Sequence, residues 1–316
     1  MRWFVSAGEL RCMGILGMNC RNIDFIGRYN PRHLYPLVDD KLKTKYLAQR
    51  HDIPVPRLCF MVREQYKINR IDQQLRELSG FAVKPAKGSG GKGILVITGR
   101  ERGAFVKSSG AVLGIRDVKR HMSNILAGLY SLAGTPDAVI VEELIHFDDL
   151  FEGYSHEGVP DIRIIVFQGY PVMAMLRLAT HESDGKANLH QGAVGVGLDI
   201  ATGRCLQAVQ HSMPIETHPD TGRHFQDISI PGWPAMLHLA ARCHDITGLG
   251  YIGTDIVLDK YRGPLLLELN ARPGLSIQVA NGSGILPRLR RIESMARHHK
   301  TVSERVSYTM ETFGGA

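Results

Sequence analysis

The chain has 316 residues, enough for one large domain or two modest ones with a sizeable core. Hydrophobic residues make up 44% and charged residues 22%, which excludes low-complexity disorder as the main state. Lys plus Arg number 38 against 31 Asp plus Glu, a mild basic excess that favours anionic ligands without naming one. No apolar run reaches the roughly 18 residues a spanning helix needs. Glu9 and Arg11 interrupt the apolar N-terminus, so no secretory leader is read and the expected location is the cytoplasm. The five cysteines are far apart and form no CxxC pair, so neither a disulfide framework nor a zinc ribbon is indicated.

In chain order, the first forty residues read as irregular, with turns at Asn30-Pro31 and Tyr35-Pro36. Asp39 or Asp40 caps a helix over Lys41–Arg50, stopped before Pro54 and Pro56. Ile68, Ile71, Leu75 and Leu78 predict a helix over 63–79, ended by Gly80. Phe81–Pro85 and Ile94–Thr98 read as strands around a glycine-rich loop. Met122, Ile125, Leu129 and Leu132 share one face of a helix over 117–132, and a buried-type strand follows over 138–145. After the polar segment 146–160, residues 162–168 and 171–178 form a hairpin turning at Gly169. Segment 180–197 is polar and glycine-bearing, 234–246 is helical, and 252–259 pairs with 264–269 in a second hairpin. Helices alternating with hairpins predict an α+β fold with antiparallel sheets. The late basic cluster of Arg288, Arg290, Arg291, Arg297 and Lys300 reads as the wet face of a terminal helix.

Gly88, Gly90 and Gly93 match G-x-G-x-x-G, but the loop runs into a strand rather than opening a helix, which argues against a dinucleotide fold. Ala86 stands where a P-loop needs glycine, and no H-R-D or D-F-G signature of a protein kinase occurs. What remains is a strand–glycine loop–strand flap. Its amides at Gly90, Gly91 and Gly93 can approach phosphate oxygens, with Lys87 and Lys92 adding charge and Lys84 held on the preceding strand. The alternative is a flexible hairpin with incidental lysines.

In the second hairpin, a two-residue turn at Tyr261-Arg262 places Asp255 directly opposite Glu268, with Asn270 on the same face as Glu268. Facing carboxylates repel unless neutralised, and a hard divalent cation would do so, with Asn270 as a third oxygen. A solvated hairpin with hydrated acids is the other reading.

Taken in order, these segments resemble the ATP-grasp superfamily, most closely the alpha-L-glutamate ligase-like branch related to the ribosomal-protein S6 glutamate ligase. The matching residues begin with Asp40-Lys41-Leu42, Phe81-Ala82-Val83-Lys84-Pro85 and the flap. They continue through Val141-Glu142-Glu143-Leu144-Ile145, Asp161-Ile162-Arg163 and Lys186-Ala187-Asn188-Leu189-His190. They end with Gly253-Thr254-Asp255-Ile256 and Leu267-Glu268-Leu269-Asn270-Ala271-Arg272-Pro273-Gly274.

The resemblance implies an ATP-grasp fold in which two α+β subdomains grip ATP. It implies a short N-terminal segment over 1–40, an ATP-grasp domain over 41–300 and a tail over 301–316. Within the domain, a flap subdomain spans about 80–142 and a metal-binding subdomain about 145–285. It gives Lys84 and Lys41, with Gly90, Gly91, Lys92 and Gly93, to the phosphates, and Glu142, Glu143, Leu144 and Ile145 to the adenine side. Asp161 would face the ribose, Lys186 and Asn188 the phosphate and metal, and Asp255, Glu268 and Asn270 would hold Mg²⁺ or Mn²⁺. Arg163 and Arg272 would bind the acid substrate or its acyl phosphate, and His190 is either a substrate contact or a structural partner.

Two features depart from the family pattern: only forty residues stand where a longer N-terminal domain is usual, and segment 146–160 is long. The expected activity is that of an ATP-dependent, ADP-forming carboxylate–amine ligase, working through an acyl phosphate and adding glutamate or a similar amino acid to an amine of a peptide, protein or small acceptor. The rival readings are a nucleotide-binding regulatory or assembly module without turnover, and a nucleic-acid-binding protein, for which no reading motif is found.

Overall fold

Asp40 opens the first long helix, Lys41–Arg50, by accepting the backbone N–H groups of Leu42 at 2.9 Å and Lys43 at 3.3 Å. The computed structural model describes residues 5–88, 90–131, 134–295 and 300–315. Within these bounds they divide into two units, one falling in 40–46 and 55–146, the other in 5–39, 47–54 and 147–315. Both are α+β with antiparallel sheets, as the alternation of helices and hairpins predicts.

The smaller unit holds six strands among its described residues. These are β1 (Leu58–Val62), β2 (Phe81–Pro85), β3 (Leu95–Glu101), β4 (Ala104–Lys107), β5 (Val112–Leu113) and β6 (Val139–Glu143), in the order β1-β6-β2-β3-β4-β5. Helix Ile115–Leu126 lays Val118, Met122 and Ile125 onto Phe81, Val83, Ile97, Phe105 and Val141. Each such buried side chain contributes about 1.5–3 kcal/mol. The helix stops six residues short of the predicted end because Gly128 takes φ +82° with carbonyl oxygens packed where a Cβ would lie. Leu132 and Arg297 lie outside the described residues.

The helix predicted over 63–79 is two short ones, Gln65–Ile68 and Asp72–Glu77. The chain breaks at Asn69–Ile71, and Ile68, Ile71 and Leu75 are all buried in the same core. β6 ends at Glu143, before Leu144 and Ile145.

The larger unit holds seven strands among its described residues, in the order β11-β10-β9-β8-β7-β12-β13. They are β7 (Asp161–Phe167), β8 (Tyr170–Leu178), β9 (Val194–Leu198), β10 (Cys205–Gln210), β11 (Met213–Ile215), β12 (Tyr251–Asp259) and β13 (Gly263–Asn270). Helices Trp233–Thr247 and Val302–Phe313 pack on this sheet. The segment expected as a tail over 301–316 holds helix Val302–Phe313, capped by Thr301 and Glu304 and tied down by Arg305, whose guanidinium donates to both oxygens of Asp245 at 2.8 and 2.6 Å.

Residues 5–39 are not irregular either. They hold helix Ala7–Cys12 and a π-helical segment Arg21–Ile26, which seats the Phe25 ring 5.5 Å from Phe167. The buried Asn30 amide donates to the carbonyls of Tyr251 and Ala271 at 2.7 and 3.0 Å and accepts the Tyr251 N–H at 2.8 Å. The late arginines have intramolecular partners: Arg288 donates to Val172 O, Arg290 pairs with Glu293 and Asp24, and Arg291 donates to the Tyr308 hydroxyl. Among the described residues, no helix is long and apolar enough to cross a membrane.

Both charged hairpins of this sheet carry a bulge. Gln168 and Gly169, both with positive φ, form the two-residue turn between β7 and β8, pairing Phe167 with Tyr170. The register then slips between Ile165 and Val166, leaving Val172 as the extra residue, next to Pro171, which has no N–H for the ladder. The turn between β12 and β13 has three residues rather than two. Asp259 accepts the N–H groups of Tyr261 and Arg262, each at 3.0 Å, and Gly263 follows at φ +73°. Leu267 is the bulged residue that restores the register.

Candidate functional site

In the smaller unit, β2 and β6 pair Ala82 with Glu142 and Lys84 with Ile140, so Lys84 and Glu142 are diagonal neighbours on one face. Lys84 Nζ lies 2.5 Å from Glu142 Oε2, and Lys45 Nζ lies 2.7 Å from Oε1. Burial opposes the charge on Glu142, but Lys84 and Lys45 outweigh it and hold the carboxyl below its ordinary value. Glu142 is thus an ion-pair partner of the lysines. Glu143 pairs with Arg57 at the end of β6, and Leu144 and Ile145 follow, half-buried.

The glycine loop is tethered at both ends. Lys41 Nζ donates to Gly88 O at 2.6 Å. Asp137 accepts the Lys87 N–H at 3.0 Å and the Ser131 hydroxyl at 2.7 Å. At the far end, His121 Nε2 lies 2.9 Å from Gly93 O, so this nitrogen carries the proton. Burial lowers the His121 pKa, which favours the neutral ring. Between these ties Gly90, Gly91 and Gly93 have φ of +63°, +73° and +77°, and Lys92 is exposed. Lys45, Asp137 and His121 escaped the sequence reading. Lys45, four residues after Lys41 on a capped helix, was the one with a usable signal.

In the larger unit, the sheet gathers charge on one face. Asp255 on β12 lies opposite Glu268 on β13 and opposite Arg163 on β7, while Asp161 on β7 lies opposite Arg177 on β8. Arg163 donates to both oxygens of Asp255 at 2.7 and 2.6 Å. Arg177 does the same to Asp161 at 2.5 and 2.7 Å and also reaches Asp255 Oδ2 at 2.8 Å. The neutralisation expected from a cation is therefore supplied to Asp255 by two arginines. Burial works against ionised Asp255, yet Arg163 and Arg177 win and hold it well below the usual carboxylate range. Asp161, where burial outweighs the pull of Arg177, is pushed up to about 6.

Arg177 was missed because an unbulged ladder from the Gly169 turn puts Leu176, not Arg177, opposite Asp161. Glu268 faces Asp255 as the hairpin reading predicts, but through a three-residue turn and a bulge whose shifts cancel.

Asn270 stands two residues beyond Glu268 on β13, and its Oδ1 accepts the Arg272 N–H at 2.8 Å. Among the described residues, no group of three or more His, Cys, Asp or Glu is placed to hold a metal. The set here is two carboxylates and an amide oxygen. Asp255 already accepts three guanidinium hydrogen bonds, leaving one of the roughly four lone-pair sites of a carboxylate. A hard cation here would be held mainly by Glu268 and Asn270.

The other candidates have these contacts. Lys186 pairs with Asp184 at 2.9 Å, Asn188 accepts the His190 N–H at 3.1 Å, and the His190 side chain is exposed. Arg272 lies 5.2 Å over the Tyr35 ring and 3.3 Å from Asp39. Segment 146–160 meets the loop that carries Lys186 through His156, whose ring stacks 3.5 Å from that of His181.

Similar proteins agree with this architecture. Residues 20–294 match the family model described as sugar-transfer associated ATP-grasp. A probable alpha-L-glutamate ligase of Maridesulfovibrio salexigens is 24% identical over 236 residues, 75% of this chain and 56% of that protein. One of Thioalkalivibrio sulfidiphilus is 26% identical over 266 residues, 83% of this chain and 65% of that protein. The chain thus spans 56–65% of the length of these curated relatives. Among solved structures, the D-cycloserine synthetase DcsG shares the fold, with a TM-score of 0.50 at 16% identity, covering 83% of this chain and 71% of that one. With the family match running through the glycine flap and both charged hairpins, the chain belongs to the sugar-transfer associated ATP-grasp family.

Proposed function

We propose that the chain is an ATP-dependent, ADP-forming carboxylate–amine ligase that adds glutamate or a similar amino acid to an amine of a peptide, protein or small acceptor. The observation that carries this reading is the row Glu268, Asp255 and Arg163 on adjacent strands, which offers anionic oxygens and a fixed guanidinium side by side. Such a row suits a reaction in which charge must be neutralised on phosphate and carboxylate together. The relatives' name, alpha-L-glutamate ligase, supports glutamate as the acid.

On this reading a carboxylate oxygen of the acid bonds to the γ-phosphorus, the bond to the β-phosphate oxygen breaks, and ADP leaves. The amine nitrogen then attacks the acyl phosphate carbonyl, phosphate departs, and the amine gives up a proton. Lys84, Lys41, Lys92 and the amides of Gly90, Gly91 and Gly93 hold phosphate oxygens, and the backbone at Leu144 and Ile145 reads the base edge. Glu142 and Asp161 act at one remove, each orienting its cationic partner. Glu143 stays at the edge of the base site. Arg163 and Arg272 orient the acid, with Lys186 and Asn188 on the phosphate side. Mg²⁺ or Mn²⁺, held by Glu268, Asn270 and Asp255, would neutralise phosphate charge when bound.

The test is ADP release with a panel of amino acids, followed by mass-shift analysis of peptide and amino-acid acceptors. Lys84→Ala should reduce ATP turnover by roughly 100-fold or more, the scale of losing one electrostatic contact to the reacting group. Tight nucleotide binding without ADP release for any acid would favour a regulatory module instead.

A further inference from the structure

Helix Ile115–Leu126 turns Asp117, Arg120, His121 and Asn124 to one side, the spacing at which helical side chains are neighbours. With Leu95 of β3, Lys107 of β4 and Leu113 of β5 they line a cavity of about 220 Å³. That is below the roughly 300–1,000 Å³ of drug-sized pockets and suits a ligand of a few heavy atoms. Lys107 pairs with Ile97, a core residue under this helix, so the cavity lies on the helix-covered face of the sheet. Lys84 and Glu142 alternate with the core residues Val83 and Val141 and belong to the opposite face.

Lys107 is half-buried, and among the described residues its ammonium group has no hydrogen-bond or ion-pair partner. Burial lowers the His121 pKa and the charge of Lys107 adds to the effect, which marks the two side chains as neighbours. Asp117 is already engaged, by the Gly114 N–H at 3.0 Å and by Arg120 at 2.8 Å. The side-chain amide of Asn124 has no hydrogen-bond partner among the described residues. Leu95 and Leu113 supply apolar walls. A cation and an amide with bonds to give, beside two leucines in so small a space, match a carboxylate on a short alkyl body.

We infer that this cavity is a binding site for a small monocarboxylic acid, its carboxylate on Lys107 and Arg120 and its alkyl part on Leu95 and Leu113. Two of the lining residues lie at the far root of the glycine loop. His121 holds Gly93 O at 2.9 Å, and Leu95 opens β3 two residues after Gly93. An acid seated against both steadies that root, so its binding is coupled to the opening of the loop. The inference goes beyond the ligase reading and does not depend on it.

The test titrates butyrate, acetate and inorganic phosphate into the full chain, followed by saturation-transfer NMR, with thermal unfolding to check the fold of each variant. Butyrate should bind saturably and roughly tenfold more tightly than acetate, the gain from burying two methylenes. Lys107→Met, or Lys107→Gln should the first not fold, should weaken butyrate roughly tenfold or more, the scale of a lost hydrogen bond to a charged group. At ten times its Kd, butyrate should slow tryptic cleavage after Lys92 roughly threefold or more in the parent and not in Lys107→Met. Unchanged butyrate affinity in the Lys107 variants puts the acid elsewhere and overturns the site. Phosphate that binds as tightly as butyrate overturns the carboxylic-acid class. Saturable binding that leaves cleavage unchanged overturns the coupling to the loop, and no saturable binding in the parent overturns the whole inference.

Discussion

Arg177 on β8 stands directly opposite Asp161 on β7, joined to it by two parallel hydrogen bonds of 2.5 and 2.7 Å. The same guanidinium reaches Asp255 at 2.8 Å, so one side chain neutralises parts of two buried carboxylates. Replacing it by methionine leaves Asp161 without its forked partner. Urea denaturation of Arg177→Met should show a loss of about 3–5 kcal/mol, the range for breaking a buried pair from one side. Arg177→Lys should recover only part of it, because an ammonium group cannot donate two parallel bonds. A loss below about 1 kcal/mol would place the pair in the solvent-screened class and contradict the burial seen here.

Glu142 supplies the pH-dependent test. Its carboxyl is held below the ordinary 4.5, because Lys84 and Lys45 outweigh the opposing effect of burial. A depressed native pKa stabilises the fold fully above the unfolded value, and that stabilisation is lost as pH falls through the native value. Glu142→Gln should cost about 3–5 kcal/mol at pH 7, and the gap from the parent should shrink steadily as pH drops below about 4.5. A gap that stays constant from pH 7 to pH 3 would show that the ion pairs are not its source.

Gly93 tests the tether of the flap. Its φ is +77°, and a Cβ there would lie 2.5 Å from the Tyr130 ring. Gly93→Ala should lower stability by about 1–3 kcal/mol, the cost of a left-handed conformation in a residue with a side chain. Tyr130→Ala in the same chain should relieve the clash and not the backbone strain, so thermal unfolding should show partial rescue. In the parent, Mg²⁺ with an ATP analogue should slow proteolysis near Lys87 and Lys92, since an ordered loop of glycines has entropy to lose. Equal cleavage with and without nucleotide would mean that the loop does not close on phosphate.

Glu268→Gln separates stability from activity. Asp255 is already neutralised by Arg163 and Arg177, so relief of carboxylate repulsion across the hairpin should be small. Stability without metal should change by no more than about 0.5 kcal/mol in either direction. Mg²⁺–ATP should stabilise the variant less than the parent, and ADP release should fall by orders of magnitude. Strong destabilisation with turnover intact would make Glu268 a structural residue.

Much of this protein could be read from local pattern alone. The strand–glycine loop–strand flap, the helix Lys41–Arg50 and both charged hairpins follow from periodicity, caps and turn residues, which act within a few positions of the chain. The motif residues lie where those elements put them, and Asp255 does face Glu268.

Tertiary structure decided what those charges meet. The bulge at Val172 moves Arg177 opposite Asp161, and the bulge at Leu267 compensates a three-residue turn that the sequence pattern does not announce. A period of two carries no mark of one extra residue, because the slip is set by pairing with another strand. Lys45 meets Glu142 only because helix and strand, nearly a hundred residues apart, pack together. The N-terminal helices lack a long apolar period of their own, and their place beside Phe167 and Tyr251 comes from filling a core that other elements define. Sequence therefore determined the elements and the chemical groups they carry, while long-range packing chose the partners that set their charge.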